Sequence, residues 1–195
     1  MEASPGKASG HGSSAGRLAR GLILAARHPR PRVGARICYG RTDVALAEPA
    51  EAGADAVIAA AGESIERIIS SPLGRALLVA RAVAGRTGAP LHTDDRLAEM
   101  DFGAWEGQAW AVLPRAEIDA WAAEPLSYRP GGGESVEQLL RRVRRAWTGI
   151  ASSAETTLLV THAGPIRCLL HIAAGVPILT AIGTGIAYGS VTRFS

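Results

Sequence analysis

The chain has 195 residues, 47% hydrophobic and 20% charged, which suits one globular domain with a proper core. Its formal charge of +3, from 21 basic and 18 acidic residues, and its aromatic content of 5% argue against a nucleic-acid platform that stacks bases on rings. Two cysteines, Cys38 and Cys168, with no CxxC spacing, exclude a disulfide scaffold and read as reduced thiols in a cytoplasmic protein.

Residues 1 to 17 are mostly Gly, Ser and Ala and bury too little to offset their ordering entropy. They read as a disordered tail before a domain spanning 18 to 195. The run "GLILAA" is too short for a signal peptide, and Arg27 ends it. Pro165, Arg167, Pro177 and several glycines interrupt the apolar C-terminal region, so no membrane span is expected.

"RLARGLILAA" predicts a buried strand that stops in the loop "RHPRPRVGARICYGRTD". Residues 48 to 61, rich in Ala and Glu, predict a short helix. "IERIISS" is β-branched and ends at Ser70-Ser71-Pro72, a start signal for the helix "LGRALLVARAVAGR", which "GAP" stops. The short strand "LHT" leads into the loop "DDRLAEMDFGAWEG", and residues 107 to 122 predict a helix holding Trp110 and Trp121. "YRPGGGES" is a loop in which Ser135 is placed to cap the helix "VEQLLRRVRRAWTGIA". "TTLLV" is a second buried strand, "THAGP" leads to the helix "IRCLLHIAAG", and "GSVTRF" closes the chain as a last strand. Strands alternating with helices predict an α/β fold with a largely parallel, helix-covered sheet.

The strand exits carry the chemistry. One ends in Arg27-His28, one leads to Arg75, and one ends in Thr161-His162, while the loop with Glu99 follows another. Ligands of open α/β sheets bind outside the carboxyl ends of the strands, where such loops converge. Taken singly, each residue has an ordinary reading: a surface arginine, a loop carboxylate, a hydrogen-bonded buried histidine. Trp105, Trp110, Trp121 and Trp147 read as packing residues, and "RRVRR" (141–145) as the solvated face of an amphipathic helix.

"RHP", "SSPLGRA", "LAEMDFGAWEG", "PGGES" and "VTHAGPIR" occur in the order found in the histidine phosphatase superfamily, which the chain resembles from about residue 20 onward. The resemblance implies a phosphoglycerate mutase-like, three-layer α/β/α fold and a phosphomonoesterase working through phosphohistidine. It also implies no cofactor, no metal and a small phosphorylated substrate. "ICYGRTDVAL" with "FGAWEG" is most similar to the α-ribazole phosphatase branch of cobalamin assembly.

Residue by residue, His28 matches the phosphorylated histidine and Arg27 the arginine on the phosphoryl oxygens. Arg75 matches the second phosphate-binding arginine, His162 the second histidine and Glu99 the proton donor. The attacking imidazole nitrogen must be free, so the other nitrogen is expected to be held by an acceptor such as a backbone carbonyl. Two guanidiniums match phosphate geometry in a way lysine cannot.

The chain also departs from the family's pattern. Pro29 and Arg30 stand where Gly and an acidic residue are usual, the asparagine that often follows is absent near Gly34, and Ala163 replaces a glycine. Of Arg32, Arg36 and Arg41, Arg41 is the preferred substitute in the phosphate pocket, because "CYGRTD" matches a substrate-side loop. A mutase is the rival enzyme, disfavoured by the short stretch between Glu99 and "GGGES" and by the short C-terminal end. A non-catalytic phosphate-binding scaffold ranks third, since nucleophile, carboxylate and arginines are all present.

Overall fold

The computed structural model describes residues 21–62 and 64–195; the expected tail and the first residues of the first expected strand lie outside them. The strands are β1 (Ile23–Arg27), β2 (Arg67–Ser70), β3 (Leu91–Thr93), β4 (Thr157–Thr161) and β5 (Val191–Phe194). The helices are α1 (Ala50–Ala61), α2 (Gly74–Thr87), α3 (Arg115–Ala123), α4 (Val136–Ile150), α5 (Ala163–Ile172) and α6 (Ile178–Gly183).

The sheet runs β3-β2-β4-β1-β5, parallel except for β5, which pairs antiparallel with β1. Strand side chains alternate between faces, and β1 and β4 are apolar on both. Leu24, Ala26, Leu158 and Val160 pack with Val57, Val79 and Val83 of α1 and α2. Ile23, Ala25 and Leu159 pack with Leu139, Val143, Ile166 and Leu169 of α4 and α5. The architecture is therefore a three-layer α/β/α sandwich. No helix among the described residues is long and apolar enough to cross a membrane.

Local chemistry explains most of the boundaries. Ser135 Oγ accepts from the Gln138 amide (3.2 Å) and Gln138 Oε1 from the Ser135 amide (2.8 Å), a reciprocal cap that starts α4. Helix α2 begins at Gly74, two residues past Pro72, with the Leu73 amide donating to Ser71 Oγ (3.3 Å). Helix α5 starts at Ala163, earlier than its expected start at Ile166, and ends at Ile172, ahead of Gly175 in the left-handed region.

The helix expected over 107 to 122 is corrected to a 3₁₀ turn at Trp110–Val112 followed by α3. Pro114 disfavours helical backbone at Leu113 and lacks an N–H, so the helix restarts after it. Helix α6 was not anticipated, although Pro177 at its N-cap is a start signal.

Candidate active site

Because β4 lies between β2 and β1, three chain exits emerge side by side at the carboxyl edge of the sheet. The pairing continues past the strands: the His28 amide donates to Thr161 O (3.0 Å) and the Ser71 amide to Val160 O (2.9 Å). This pins His28 and His162 beside one another, 2% and 0% exposed, with ring centroids 5.0 Å apart.

His28 Nδ1 lies 2.6 Å from Pro29 O. A carbonyl only accepts, so Nδ1 carries the proton and Nε2 keeps its lone pair. Burial, together with the charges of Arg75 and Arg27, outweighs the backbone hydrogen bond and lowers the His28 pKa to about 3. The ring is neutral at physiological pH. Burial, then Arg75 and His28, hold His162 well below the ordinary histidine range as well.

His162 Nε2 lies 2.7 Å from Ser71 Oγ. With that hydroxyl as donor, the His162 proton sits on Nδ1. Among the described residues, the buried side-chain polar atoms without a protein partner are His162 Nδ1, Arg27 Nε and Arg75 Nε. All belong to this cluster. Unsatisfied buried donors are costly, and three around one histidine pair suit a tetrahedral anion.

Each arginine is held by backbone carbonyls rather than by carboxylates. Arg75, 1% exposed, donates to Thr42 O (2.9 Å) and Gly40 O (2.5 Å), and Arg27 donates to Ile186 O. The carbonyls that hold Arg75 come from a loop that Glu106 fixes in turn: its carboxylate accepts from the Arg41 amide (2.7 Å), the Phe102 amide (3.1 Å), and the amide and hydroxyl of Thr42. Burial pushes the Glu106 carboxyl up, but these hydrogen bonds win and hold it below its ordinary range. Gly40 permits the arrangement, since a Cβ there would sit 1.9 Å from Met100 O.

Glu99 sits at the head of α5. Its Oε1 and Oε2 accept from the Gly164 amide at 3.1 and 3.2 Å, and Oε1 also from its neighbour Met100 at 2.9 Å. A Cβ on Gly164 would lie 2.2 Å from Oε1, so the glycine is a steric condition for this seat. The Glu99 carboxylate interacts electrostatically with Arg75 and Arg167.

The structure thus gathers Arg27, His28, Arg75, Glu99 and His162. Arg41 differs: its side chain is exposed and lines a second recess with Asp101, Arg129, Gly133, Glu134 and Gln138. Two phenols approach the arginines instead. Tyr188 lies under the Arg27 guanidinium (3.7 Å to the ring centroid) and Tyr39 lies 5.3 Å from that of Arg75. Their hydroxyls are 2.8 Å apart, and the Tyr188 ring lies 5.7 Å from His28.

The basic run on α4 needs a correction too. Arg141, Arg144 and Arg145 are exposed, but Arg142 is half-buried against the loop that carries Glu99. It pairs with Glu134 (2.7 and 2.8 Å) and donates to the carbonyls of Arg96 (2.7 Å), Ala98 (2.7 Å) and Glu99 (2.9 Å). The tryptophans pack as expected: Trp105, Trp110 and Trp121 cluster with Phe102, and Trp147 meets Phe194.

Fold and site together define a phosphoglycerate mutase-like α/β protein with an anion cradle around a neutral histidine pair. The chain belongs to the histidine phosphatase superfamily (branch 1), whose family model matches residues 23–195. It is 35% identical over 181 residues to the bifunctional protein Rv2228c of Mycobacterium tuberculosis, covering 88% of this chain and 50% of that one. It therefore spans about half the length of that curated relative. It is 31% identical over 179 residues to a glucosyl-3-phosphoglycerate phosphatase of Mycolicibacterium vanbaalenii, covering 83% and 77% of the two chains. Among solved structures, the α-ribazole phosphatase from Shigella flexneri shares the fold at a TM-score of 0.78 and 23% identity, over 88% of this chain and 89% of that one. The mycobacterial glucosyl-3-phosphoglycerate phosphatase Rv2419c in complex with VO3 superposes at a TM-score of 0.73 and 27% identity, over 89% and 92%.

Proposed function

We propose that this chain is a metal-independent phosphomonoesterase that hydrolyses a small phosphate ester through a phosphohistidine at His28. The observation that carries the reading is the tautomer: His28 Nδ1 is tied to Pro29 O, leaving a neutral Nε2 beside three unpartnered buried donors.

Nε2 attacks phosphorus as the P–O bond to the alcohol breaks, and Glu99 gives the departing oxygen a proton. Arg27, Arg75 and His162 hold the equatorial oxygens, supplying the charge stabilisation on which phosphoryl transfer depends. Water then attacks the phosphoryl group and yields its proton to Glu99. The P–N bond breaks, and inorganic phosphate and neutral His28 are released.

In place of the absent asparagine we assign the Tyr39–Tyr188 pair rather than Arg41. One hydroxyl donates to the other, so the pair retains one proton for a phosphoryl oxygen, and such chains strengthen their terminal donor. Burial, then the hydrogen bond with Tyr188, push the Tyr39 phenol above its ordinary range, which keeps it protonated.

α-Ribazole 5′-phosphate is the leading substrate, supported by the motifs "ICYGRTDVAL" and "FGAWEG". A relative named glucosyl-3-phosphoglycerate phosphatase gives that ester the second place. Phosphate release from a panel of esters tests the reading, with EDTA expected to leave the rate unchanged and vanadate to inhibit. Restoration of a chelated, inactive enzyme by a divalent ion would overturn it, and transfer of phosphate within the substrate without release would indicate a mutase.

A further inference from the structure

The motifs "CYGRTD" and "FGAWEG" meet along their backbones. The Cys38 amide donates to Gln108 O (2.8 Å), the Gly107 amide to Cys38 O (2.8 Å) and the Trp110 amide to Arg36 O (2.9 Å). This pairing brings the half-buried carboxylate of Glu106 to one side of the turn at Gly40–Thr42, where the Arg41 and Thr42 amides donate to it. The other side of the turn holds Arg75, through Gly40 O and Thr42 O.

One peptide unit belongs to both contacts. The Gly40 carbonyl and the Arg41 N–H are opposite ends of a single planar group, so the bond that fixes one end fixes the other. A carboxylate on the N–H and a guanidinium on the carbonyl polarise that group in the same sense, and each strengthens the other's hydrogen bond. We infer that Glu106 is a positioning residue of the anion site: it aims Arg75 through the Gly40–Arg41 peptide and not by contact with the anion. The inference rests on the phosphatase reading for the identity of that anion, a phosphoryl group.

Three observations separate this role from ordinary loop packing. Among the described residues, the Arg75 guanidinium makes its hydrogen bonds to those two carbonyls, so the turn supplies its polar anchors and its buried Nε is left for the anion. Asp43, next along the turn, accepts from the Gly74 amide (3.1 Å), which ties the same turn to the start of α2 beside Arg75. Four donors fill the lone-pair sites of the Glu106 carboxylate, from the amides of Arg41, Thr42 and Phe102 and the Thr42 hydroxyl. A carboxylate so occupied holds its neighbours; it does not carry protons.

The test is a double-mutant cycle on binding rather than turnover. Glu106→Gln keeps the shape, but its NH₂ must face one pair of donors whichever way the amide is turned. Calorimetric titration with inorganic vanadate should show affinity lowered by at least about tenfold, the worth of one hydrogen bond to a charged group. Arg75→Met should lose more, and adding Glu106→Gln to it should cost nothing further, because residues that act through one another are not additive. Glu106→Gln alone should slow alkyl and p-nitrophenyl phosphates by the same factor, since Glu99 keeps its seat. If Arg75→Met does not fold, the Arg75 Nε–H signal in nitrogen-15 spectra makes the comparison. At saturating vanadate it should shift strongly in the wild type and little in Glu106→Gln.

Unchanged vanadate affinity in Glu106→Gln, an equal loss with and without Arg75, the same Nε–H shift in both proteins, or slowing confined to alkyl esters would overturn the positioning role. A cycle that closes as expected in a protein that hydrolyses no ester would overturn the phosphatase reading and leave the positioning role standing.

Discussion

The carboxylate of Glu99 rests on the amide of Gly164, 3.1 and 3.2 Å from its two oxygens, with no room for a methyl group between them. The first residues of α5 therefore provide both His162, its N-cap, and the seat of the proposed acid. Gly164→Ala should push Glu99 aside while leaving the sheet intact. A poor leaving group needs a proton and a nitrophenolate does not, so the variant should slow alkyl phosphates more than p-nitrophenyl phosphate. The gap should approach that of Glu99→Gln, for which general acid catalysis sets roughly 10²–10⁴-fold. Single-turnover measurement of the phosphorylation step checks this; equal slowing for both ester types would remove Glu99 from the acid role.

His28 should not titrate near the ordinary histidine value of 6.5, because burial and two arginines hold its pKa at about 3. In nitrogen-15 spectra of labelled histidine, its signals should show the Nδ1–H tautomer from pH 6 to 8 with no midpoint in that range. Linkage gives the sign for stability. Between about 6.5 and about 3 the unfolded chain binds a proton at this site that the folded chain refuses, so stability falls as pH drops through that window. His162, lowered in the same direction, adds to the loss. Urea midpoints that stay level from pH 7 to 4 would contradict both assignments.

The sequence made this centre readable because its residues sit at strand exits within short motifs. Arg27 ends β1, while His28, Arg75, Glu99 and His162 lie beyond the ends of strands, and parallel topology gathers such exits at one edge. The tyrosine pair was not readable. Tyr39 and Tyr188 lie in loops at opposite ends of the chain, and only the pairing of β1 with β5 brings the second back. Arg142 was hidden for a different reason. It stands one position from Val143 on the apolar stripe of α4, where helical periodicity marks the solvent border, and its partner Glu134 belongs to the loop before the helix. Arg41, by contrast, is conspicuous in its motif, yet it is the amide of that residue that donates to Glu106, while its guanidinium is exposed.

The tyrosine assignment separates from a packing role by its ligand dependence. Tyr188→Phe keeps the ring under Arg27 and removes the hydroxyl. It should weaken vanadate inhibition and raise KM for phosphate esters by roughly tenfold, the worth of one hydrogen bond to a charged group, with little change in melting temperature. Arg41→Ala should leave vanadate inhibition near the wild-type level. A vanadate affinity that follows Arg41 and ignores Tyr188 and Tyr39 would reverse the assignment.

Arg142→Met removes a guanidinium that is only 14% exposed and leaves the Glu134 carboxylate, 13% exposed, unpaired. Stability should fall by about 1–3 kcal/mol, the range for breaking a buried charged hydrogen bond. Because Arg142 also holds the Glu99 carbonyl (2.9 Å), the alkyl-to-nitrophenyl rate ratio should drop as well. Lysine, which cannot span Glu134 and three carbonyls with one ammonium, should restore neither. Denaturant midpoints and the rate ratio together check the two effects.

The central claim is a covalent bond between phosphorus and His28 Nε2. Rapid mixing with a labelled phosphate ester, an acid-free quench and peptide mass spectrometry should find a phosphoryl group on the peptide containing His28, stable in base and lost in acid. His28→Ala should fold, bind vanadate weakly and release no phosphate above background. Phosphate release by His28→Ala near the wild-type rate, or label found on another residue of a fully active enzyme, would contradict the account.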